Sequence, residues 1–491
     1  MREPTHALVL GGGLAGMLAA SVLAEHVDTV TIVERDRLPE QPEPRRGLPQ
    51  AHHVHGLMAG GVNALEALLP GAVAHLVSHG ARLVDVPGDV LILTERGWIP
   101  RVPGKRFALT CSRWLLDWGV RRLVLRHNRI AVLEDAKAEE LVGGPTRITG
   151  ARVQDGGRGC TQQINADLVV DATGRSSRAG QWLPLLGLPA PREELVDPGI
   201  AYSTRRFTPP AGLHELPPIN LGYDPWRPLP FRFGALVPLE NGQWLVTLTG
   251  RGVLPPGDHR GFVEFARSLP HPVIADLIAL AEPAGPIRRT RSTANHRRFY
   301  EKISHWPEGF VVLGDAITTH NPVYGHGMSV AACQAMALRE VLRQHGLVAG
   351  TARRIQRAVA CAGRSAYQLS VIEDLVQPTV ETNRSLAVWE RWGRRYASRL
   401  MLRVAAGGRA ATDALLDVYT LLGPLRRCAS PGAVFDTLRG PGRPLHDGPP
   451  FTADELAVLG REAPRHGSAQ NRCRPFHRTG DHPSDSPLAG T

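Results

Sequence analysis

The sequence predicts an α/β chain: a nucleotide-binding domain on a parallel sheet, an inserted strand-rich domain and a helical C-terminal region. Three observations carry this. First, the apolar run "HALVLG" leads into Gly11-Gly12-Gly13-Leu14-Ala15-Gly16, a helix pattern to about residue 25, and a second run, "TVTIVE", ending at Glu34. Second, "DLVVDATGRSS" (167–177) and "GFVVLGD" (309–315) are further buried-strand patterns that end in Asp171 and Asp315. Third, residues 199–250 alternate as strands ("GIAYSTRRF", "FRFGALVPLE", "GQWLVTLTG"), with Asn241-Gly242 as a hairpin turn, and helical periodicity dominates from about 328 to 425.

Composition narrows the classes. The 491 residues are 43% hydrophobic and 21% charged, ordinary for a globular chain with a large core. The formal net charge is +11, yet lysine occurs only at 105, 137 and 302, so the positive charge is almost all arginine. The arginines are scattered and aromatics are 5%, so neither a basic stripe nor a stacking platform for nucleic acid is present. The six cysteines have no zinc or redox spacing and read as free thiols of a cytoplasmic protein. "HALVLGGGLAGMLAASVLA" is preceded by Arg2 alone, is broken by glycines and is followed on schedule by an acidic strand end. It is therefore read as strand and helix rather than a leader, and no apolar run long enough to span a membrane is expected.

The glycine motif supplies a dinucleotide clasp. Gly11 permits the tight turn, Gly13 lets a pyrophosphate approach the backbone, and Gly16 lets helix and strand pack closely. The N–H groups of the helix that opens at Leu14 and Ala15 face the phosphates, and Glu34 can accept hydrogen bonds from a ribose. The later segments select flavin. An Asp at a strand end, as at Asp315, can accept a hydrogen bond from a ribityl hydroxyl, which FAD has and NAD lacks. In "NPVYGHGMS" Pro322, Gly325 and Gly327 allow a flat ring to approach the backbone, and the helix from about Met328 to 344 directs its N-terminus at the anionic reduced ring.

These residues resemble the class of FAD-dependent monooxygenases typified by para-hydroxybenzoate hydroxylase. Four segments, "RRGLPQAHHVHGL" (45–57), "CSRWLLDWGVR" (111–121), "DATGRSSRAGQWL" (171–183) and "GDAITTHNPVYGHGMSVAA" (314–332), resemble bacterial polyether-antibiotic epoxidases that act on polyene polyketides. The resemblance spans roughly residues 1–345. It implies a Rossmann-like FAD-binding domain in two parts (1–180 and 291–345) and an inserted mixed β-sheet substrate domain (181–290, with strands from 82–108). A C-terminal helical region (346–440) follows, then a largely disordered tail (441–491). It also implies that Arg113 contacts FAD near its phosphates or ribityl chain and that Asp315 holds the ribityl hydroxyls. Arg35, Arg45, Arg46 and Gln50 would pass along the cofactor, Asp171 and Gly174 form the internal family turn, and Pro322 to Met328 line the ring. Family members commonly have Phe before Asn-Pro, where this chain has His320, and an acidic pair and a Trp in the next helical region. Here 361–372 reads "CAGRSAYQLSVI", so substrate-facing residues are expected to differ.

The expected activity is transfer of one oxygen atom from a flavin C4a-hydroperoxide to an alkene of a polyketide-like intermediate. Aromatic or enol hydroxylation and a redox-neutral Diels-Alder-type cyclisation with structural FAD are the alternatives. Electrons come from NAD(P)H or a partner flavin reductase, and O2 is the co-substrate. Alkene epoxidation requires no catalytic base. His320 and His326 are the candidates for proton supply, on the ground of a near-neutral imidazole. Tyr202, Phe207, Phe231, Phe233 and Trp244 are candidate pocket liners. His52, His53 and His55 lack local Cys or carboxylate partners, so no metal site is expected.

Overall fold

The computed structural model describes residues 4–157, 159–222, 229–291, 293–375, 380–385, 388–440 and 448–460. The first strand, β1 (His6–Leu10), runs into α1 (Leu14–Leu23) and β2 (Thr29–Val33). Next come β3 (Leu91–Thr94) and β4 (Gly97–Trp98), then α2 (Arg113–Val124), whose first turn is capped by Ser112 accepting from the Leu115 N–H. β5 (Ile130–Leu133) and β6 (Leu168–Asp171) follow. β1, β2, β5, β6 and a later strand make one five-stranded parallel sheet in which β1 is central. Ala7 to Leu10 and Leu168 to Val170 are fully enclosed. That double-sided burial is why these strands read as unbroken apolar runs.

The inserted domain is built from β7 (Glu193–Asp197), β8 (Ile200–Thr208), β9 (Ile219–Leu221), β10 (Phe231–Pro238), β11 (Trp244–Arg251) and β12 (Glu282–Thr290). Its seven-stranded sheet has the order β12-β8-β11-β10-β9-β3-β4, with β9 and β3 parallel and the other pairs antiparallel. Asn241 and Gly242 both take positive φ in the β10–β11 turn, as a tight hairpin demands. Only β3 and β4 of the 82–108 segment join this sheet. Phe107–Thr110 is instead the central strand of a separate three-stranded sheet, paired antiparallel with Arg82–Asp85 on one side and Gly56–Met58 on the other.

The chain returns to the first domain through β13 (Asn295–Arg298), β14 (Phe310–Val312) and β15 (Thr318–Thr319). β14 completes the parallel sheet beside β6. β7 is not part of the large sheet: it pairs with β13 in a four-stranded sheet with β15 and β16 (Glu381–Thr382). The later helices include α3 (Gly327–His345), α4 (Arg364–Asp374), α5 (Val388–Ala405) and α6 (Arg409–Tyr419). α3 packs on α1, and α4 to α6 belong to the same compact unit, residues 1–450.

The second unit, from residue 451, contains a helix at Ala453–Val458 with a reciprocal Thr452/Glu455 capping box. The rest of the expected tail, 461–491, and 441–447 lie outside the described residues. No single helix among the described residues is long and apolar enough to cross a membrane. The five described cysteines are free.

The glycine turn shows the reasons for its sequence. Gly11 has φ +100°, and a Cβ there would lie 2.6 Å from the Ala172 carbonyl oxygen. A Cβ on Gly16 would lie 1.8 Å from the Gly11 carbonyl oxygen. Gly16→Ala is therefore expected to destabilise the chain by about 3 kcal/mol, seen as a lower thermal unfolding midpoint. Gly144→Ala, where a Cβ meets nothing within 4 Å, is the control and leaves the midpoint unchanged.

Candidate active site

The ends of β1, β2 and β14 open into one cavity of about 1030 Å³, which continues across one face of the seven-stranded sheet. That exceeds the space most small ligands need and suits a dinucleotide together with a second molecule. Gly11, Gly13, Leu14, Ala15, Glu34, Arg35, Arg45, Arg46, Gln50, Arg113, Gly174, Asp315, Pro322, Gly325, Gly327 and Met328 all border it. Residues separated by three hundred positions are thus brought to one surface.

The first end is cationic. A Cβ on Gly13 would meet nothing nearer than the Arg45 guanidinium at 4.0 Å, and α1 begins there without a side-chain cap, leaving its first N–H groups for a ligand. Glu34 is buried. Its Oε2 accepts from the Gly12 N–H at 2.8 Å and lies 3.1 Å from Arg45 Nη1, while Oε1 accepts from the Asp36 N–H. Arg113 is held by its own helix, Nε donating to Asp117 Oδ1 at 2.8 Å, so Asp117 fixes its direction. Asp315 has Arg175 at 3.8 Å. Burial raises the Asp315 carboxyl above its ordinary range, and Arg175 and Arg113 oppose that.

Two expected contacts are elsewhere. Asp171 does not face the cavity: fully buried, it accepts from the Thr173 N–H and hydroxyl and from the Ser177 hydroxyl at 2.6 Å. It clamps the turn that presents Ala172 to Ser176 to the cavity. Gly16 serves the strand–helix contact and does not border the cavity.

The second end is the 320–328 loop against α4. Asn321 caps its turn by accepting from the Val323 N–H, and Gly325 takes the left-handed conformation. Asp374 stands behind the loop, 1% exposed, accepting from Asn295 Nδ2 at 2.6 Å, Asn321 Nδ2 at 3.0 Å and the Tyr324 hydroxyl at 2.9 Å. Burial pushes it up to about 6, against the lowering effect of those hydrogen bonds. Its neighbour Glu373 faces the cavity, and burial, reinforced by Glu95 and Asp374, pushes it up to about 8. This acidic pair follows immediately on the segment "CAGRSAYQLSVI". Its signal was helical phase, since Asp374 lies on the stripe of Tyr367 and Val371, both buried.

The imidazoles differ from expectation. Burial lowers His320 to about 3 and His326 to about 4. His326 Nε2 donates to the Tyr419 carbonyl at 2.9 Å, and both nitrogens of His320 are buried without a partner among the described residues. Both rings border the cavity, neutral rather than poised near neutrality. His53 and His55 are likewise lowered by burial, to about 4 and about 3.

Of the aromatic candidates, Tyr202 and Phe233 border the cavity. Phe231 packs behind Phe233 and Tyr202. Phe207 and Trp244 are paired in register on the opposite face of the sheet, where Phe207 meets Phe262 at 5.9 Å. The period of two puts Tyr202 on one face and Phe207 on the other. The C-terminal helices complete the wall with Leu369, Met401, Leu415 and Tyr419, which no local motif signalled.

Comparison with known proteins agrees with this geometry. No protein-family profile matches the chain. Protein Rv3254 of Mycobacterium tuberculosis is 31% identical over 382 residues, 75% of this chain and 80% of that protein. Kynurenine 3-monooxygenase of Salinispora arenicola and 6-methylpretetramide 4-monooxygenase of Streptomyces rimosus are each 26% identical, over 70% and 69% of this chain and 74% and 75% of theirs. The chain belongs to one family with Protein Rv3254, and its homologues and structural neighbours include FAD-dependent monooxygenases. The fold is shared with p-nitrophenol 4-monooxygenase PnpA of Pseudomonas putida DLL-E4, with TM-score 0.59 and 16% identity over 90% of this chain and 99% of that one. The Diels-Alderase PyrE3 matches with TM-score 0.56 and 18% identity, over 84% and 80%.

The residues fit FAD: a helix N-terminus free of caps, an open Gly13, guanidinium groups beside both, and a buried, unpartnered His320 facing the same cavity. Arg113→Ala is expected to weaken FAD binding roughly ten- to hundredfold, the value of a charge-assisted hydrogen bond, measured by titrating the FAD-depleted protein. A second expectation concerns pH. Folding tightens the hold of Glu373 on its proton, so its contribution is full below pH 4.5 and is lost as pH rises through about 8. Glu373→Gln removes that loss. Its urea midpoint should gain on the native protein's as pH rises, and parallel curves would contradict the assignment.

Proposed function

We propose that this monooxygenase is an epoxidase acting on a carbon–carbon double bond of a polyketide-like intermediate. The observation that carries the finer reading is the state of the cavity imidazoles. His53, His55, His320 and His326 are neutral and only weakly basic. Glu373, with its carboxyl near 8, keeps its proton at neutral pH. Phenol hydroxylation calls for removal of the phenolic proton to enrich the ring, whereas an alkene is electron-rich without it.

When bound and reduced, FAD supplies the chemistry: it activates O2 and gives one oxygen atom to the substrate. The chain's part is to hold and to exclude water. In this reading Gly13 and the α1 N-terminus receive the pyrophosphate, Glu34 the ribose, and Arg113, directed by Asp117, the segment beyond. Asp315 accepts from ribityl hydroxyls. The Pro322 to Met328 backbone lies along the ring edge, and the uncapped N-terminus of α3 stabilises its negative charge by ~0.5–2 kcal/mol. His320 donates a neutral N–H and does not transfer a proton. His326 ties the loop to α6 through the Tyr419 carbonyl. Phe233, Leu369 and Met401 give the substrate an apolar wall. Electrons come from NAD(P)H or a partner flavin reductase.

Hydroxylation has one observation in its favour, the 26% identity to 6-methylpretetramide 4-monooxygenase. Redox-neutral cyclisation has the fold shared with PyrE3. The experiment that separates them supplies the FAD-loaded protein with a reductase, NADH, oxygen-18 gas and a mixture of polyene and phenolic polyketides. Epoxidation predicts one labelled oxygen bridging two former alkene carbons and no product without O2. A labelled phenol, or an unlabelled isomer formed anaerobically, would replace this proposal with the corresponding alternative.

A further inference from the structure

One edge of the cavity is cationic. On β8, Tyr202, Thr204 and Arg206 share one face of the sheet, and Thr204 is paired in register with Arg288 on β12. Arg288 borders the cavity and is exposed. Arg206 lies over the Trp114 ring at 5.0 Å, and Trp114 is in edge contact with His52 at 5.6 Å. His52 is lowered by burial and by the charges of Arg288 and Arg206, which places both guanidinium groups near it. Neither arginine has a carboxylate partner among the described residues, and Trp114 Nε1 is buried without a partner. Two guanidinium groups on one face of the sheet, without a carboxylate partner among the described residues, form a site for an anion.

Across the same sheet stand β3 and Glu95, which with Glu373 borders the far side of the cavity. β12 and β3 are five strand spacings apart, roughly 24 Å. Tyr202, beside the 320–328 loop, is about 13 Å along β8 from Arg206. An anion is therefore attracted to the arginine edge, while the protonated Glu373 at the far side offers it no counter-charge. Whatever molecule it belongs to is laid across the sheet in one direction, past Tyr202.

We propose that the cavity binds an extended substrate by an anionic terminus, a carboxylate or a phosphate ester, held between Arg288 and Arg206 with His52 beside them. This rests on the monooxygenase reading and names the substrate class of that site. The two sources share one chemistry: a free acid carries the carboxylate, and a phosphopantetheine-type thioester carries the phosphate.

The test is calorimetric titration of the FAD-loaded protein, without reductant, with oleic acid, methyl oleate and oleoyl-coenzyme A. The native protein should bind the acid or the coenzyme A thioester at least tenfold more tightly than the methyl ester. Preference for the acid assigns the carboxylate source, and preference for the thioester the phosphate. The Arg206→Ala/Arg288→Ala double variant should lose the preference while keeping the flavin spectrum and the ester affinity, and Arg206→Lys/Arg288→Lys should restore most of it. Equal binding of all three ligands, no binding of either anion, or a preference that survives the double alanine change overturns the proposal. Because the titration involves no turnover, an intact preference without oxygen transfer would leave the anion site standing and refute the epoxidase reading instead.

Discussion

The Asp374 carboxylate is the constraint on which the reactive end of this molecule depends. It sits at the C-terminal end of α4, enclosed, and ties two elements to that helix: β13 through Asn295, and the loop through Asn321 at its start and Tyr324 within it. Asn321 returns the connection by donating its N–H to the Asn295 side-chain oxygen at 2.8 Å and accepting from the Tyr202 hydroxyl at 3.2 Å. One carboxylate thus fixes the wall between the parallel sheet and the substrate sheet. A buried charge that loses its partners is costly, so such a network holds its parts strongly in register.

The other end is held differently. There the backbone does most of the work: Gly11 and Gly16 allow contacts no side chain would permit, and Asp171 keeps the 172–177 turn in shape from below. Two of the cations that face the cavity at this end are directed by neighbours, Arg113 by Asp117 and Arg45 by Glu34 and the Gly12 carbonyl. Positive charge and the uncapped N-terminus of α1 lie at this end of the cavity, while the imidazoles at the other end are neutral. That division suits a cofactor with a doubly charged linker and a ring that gains charge only on reduction.

What was legible in the sequence was whatever local backbone chemistry dictates. The glycine turn, the strand-end acids, the hairpin at Asn241-Gly242 and the "NPVYGHGMS" loop each need particular residues at fixed spacing. Side-chain direction was harder. Phe207 and Trp244 are as aromatic as Tyr202 and Phe233, and only strand phase and sheet pairing decide which face they take. Asp171 and Asp315 end similar strands, yet one is consumed by Thr173 and Ser177 and the other faces the cavity. The imidazoles are held neutral, far from the titration range expected of them, because burial, a tertiary property, governs them. Asp374 was hidden because a carboxylate ending a helix ordinarily meets water, and only the packing of β13 and the loop around α4 removes it.

The most direct test of the Asp374 constraint is flavin fluorescence of the FAD-loaded Asp374→Ala protein, measured together with FAD affinity. If Asp374 positions the ring-facing loop while the glycine turn and arginines hold the phosphates, FAD remains bound within about tenfold of the native affinity and its ring fluorescence rises toward that of free cofactor. Fluorescence and affinity both identical to the native protein's would show that the loop keeps its place without the carboxylate, and would contradict the account.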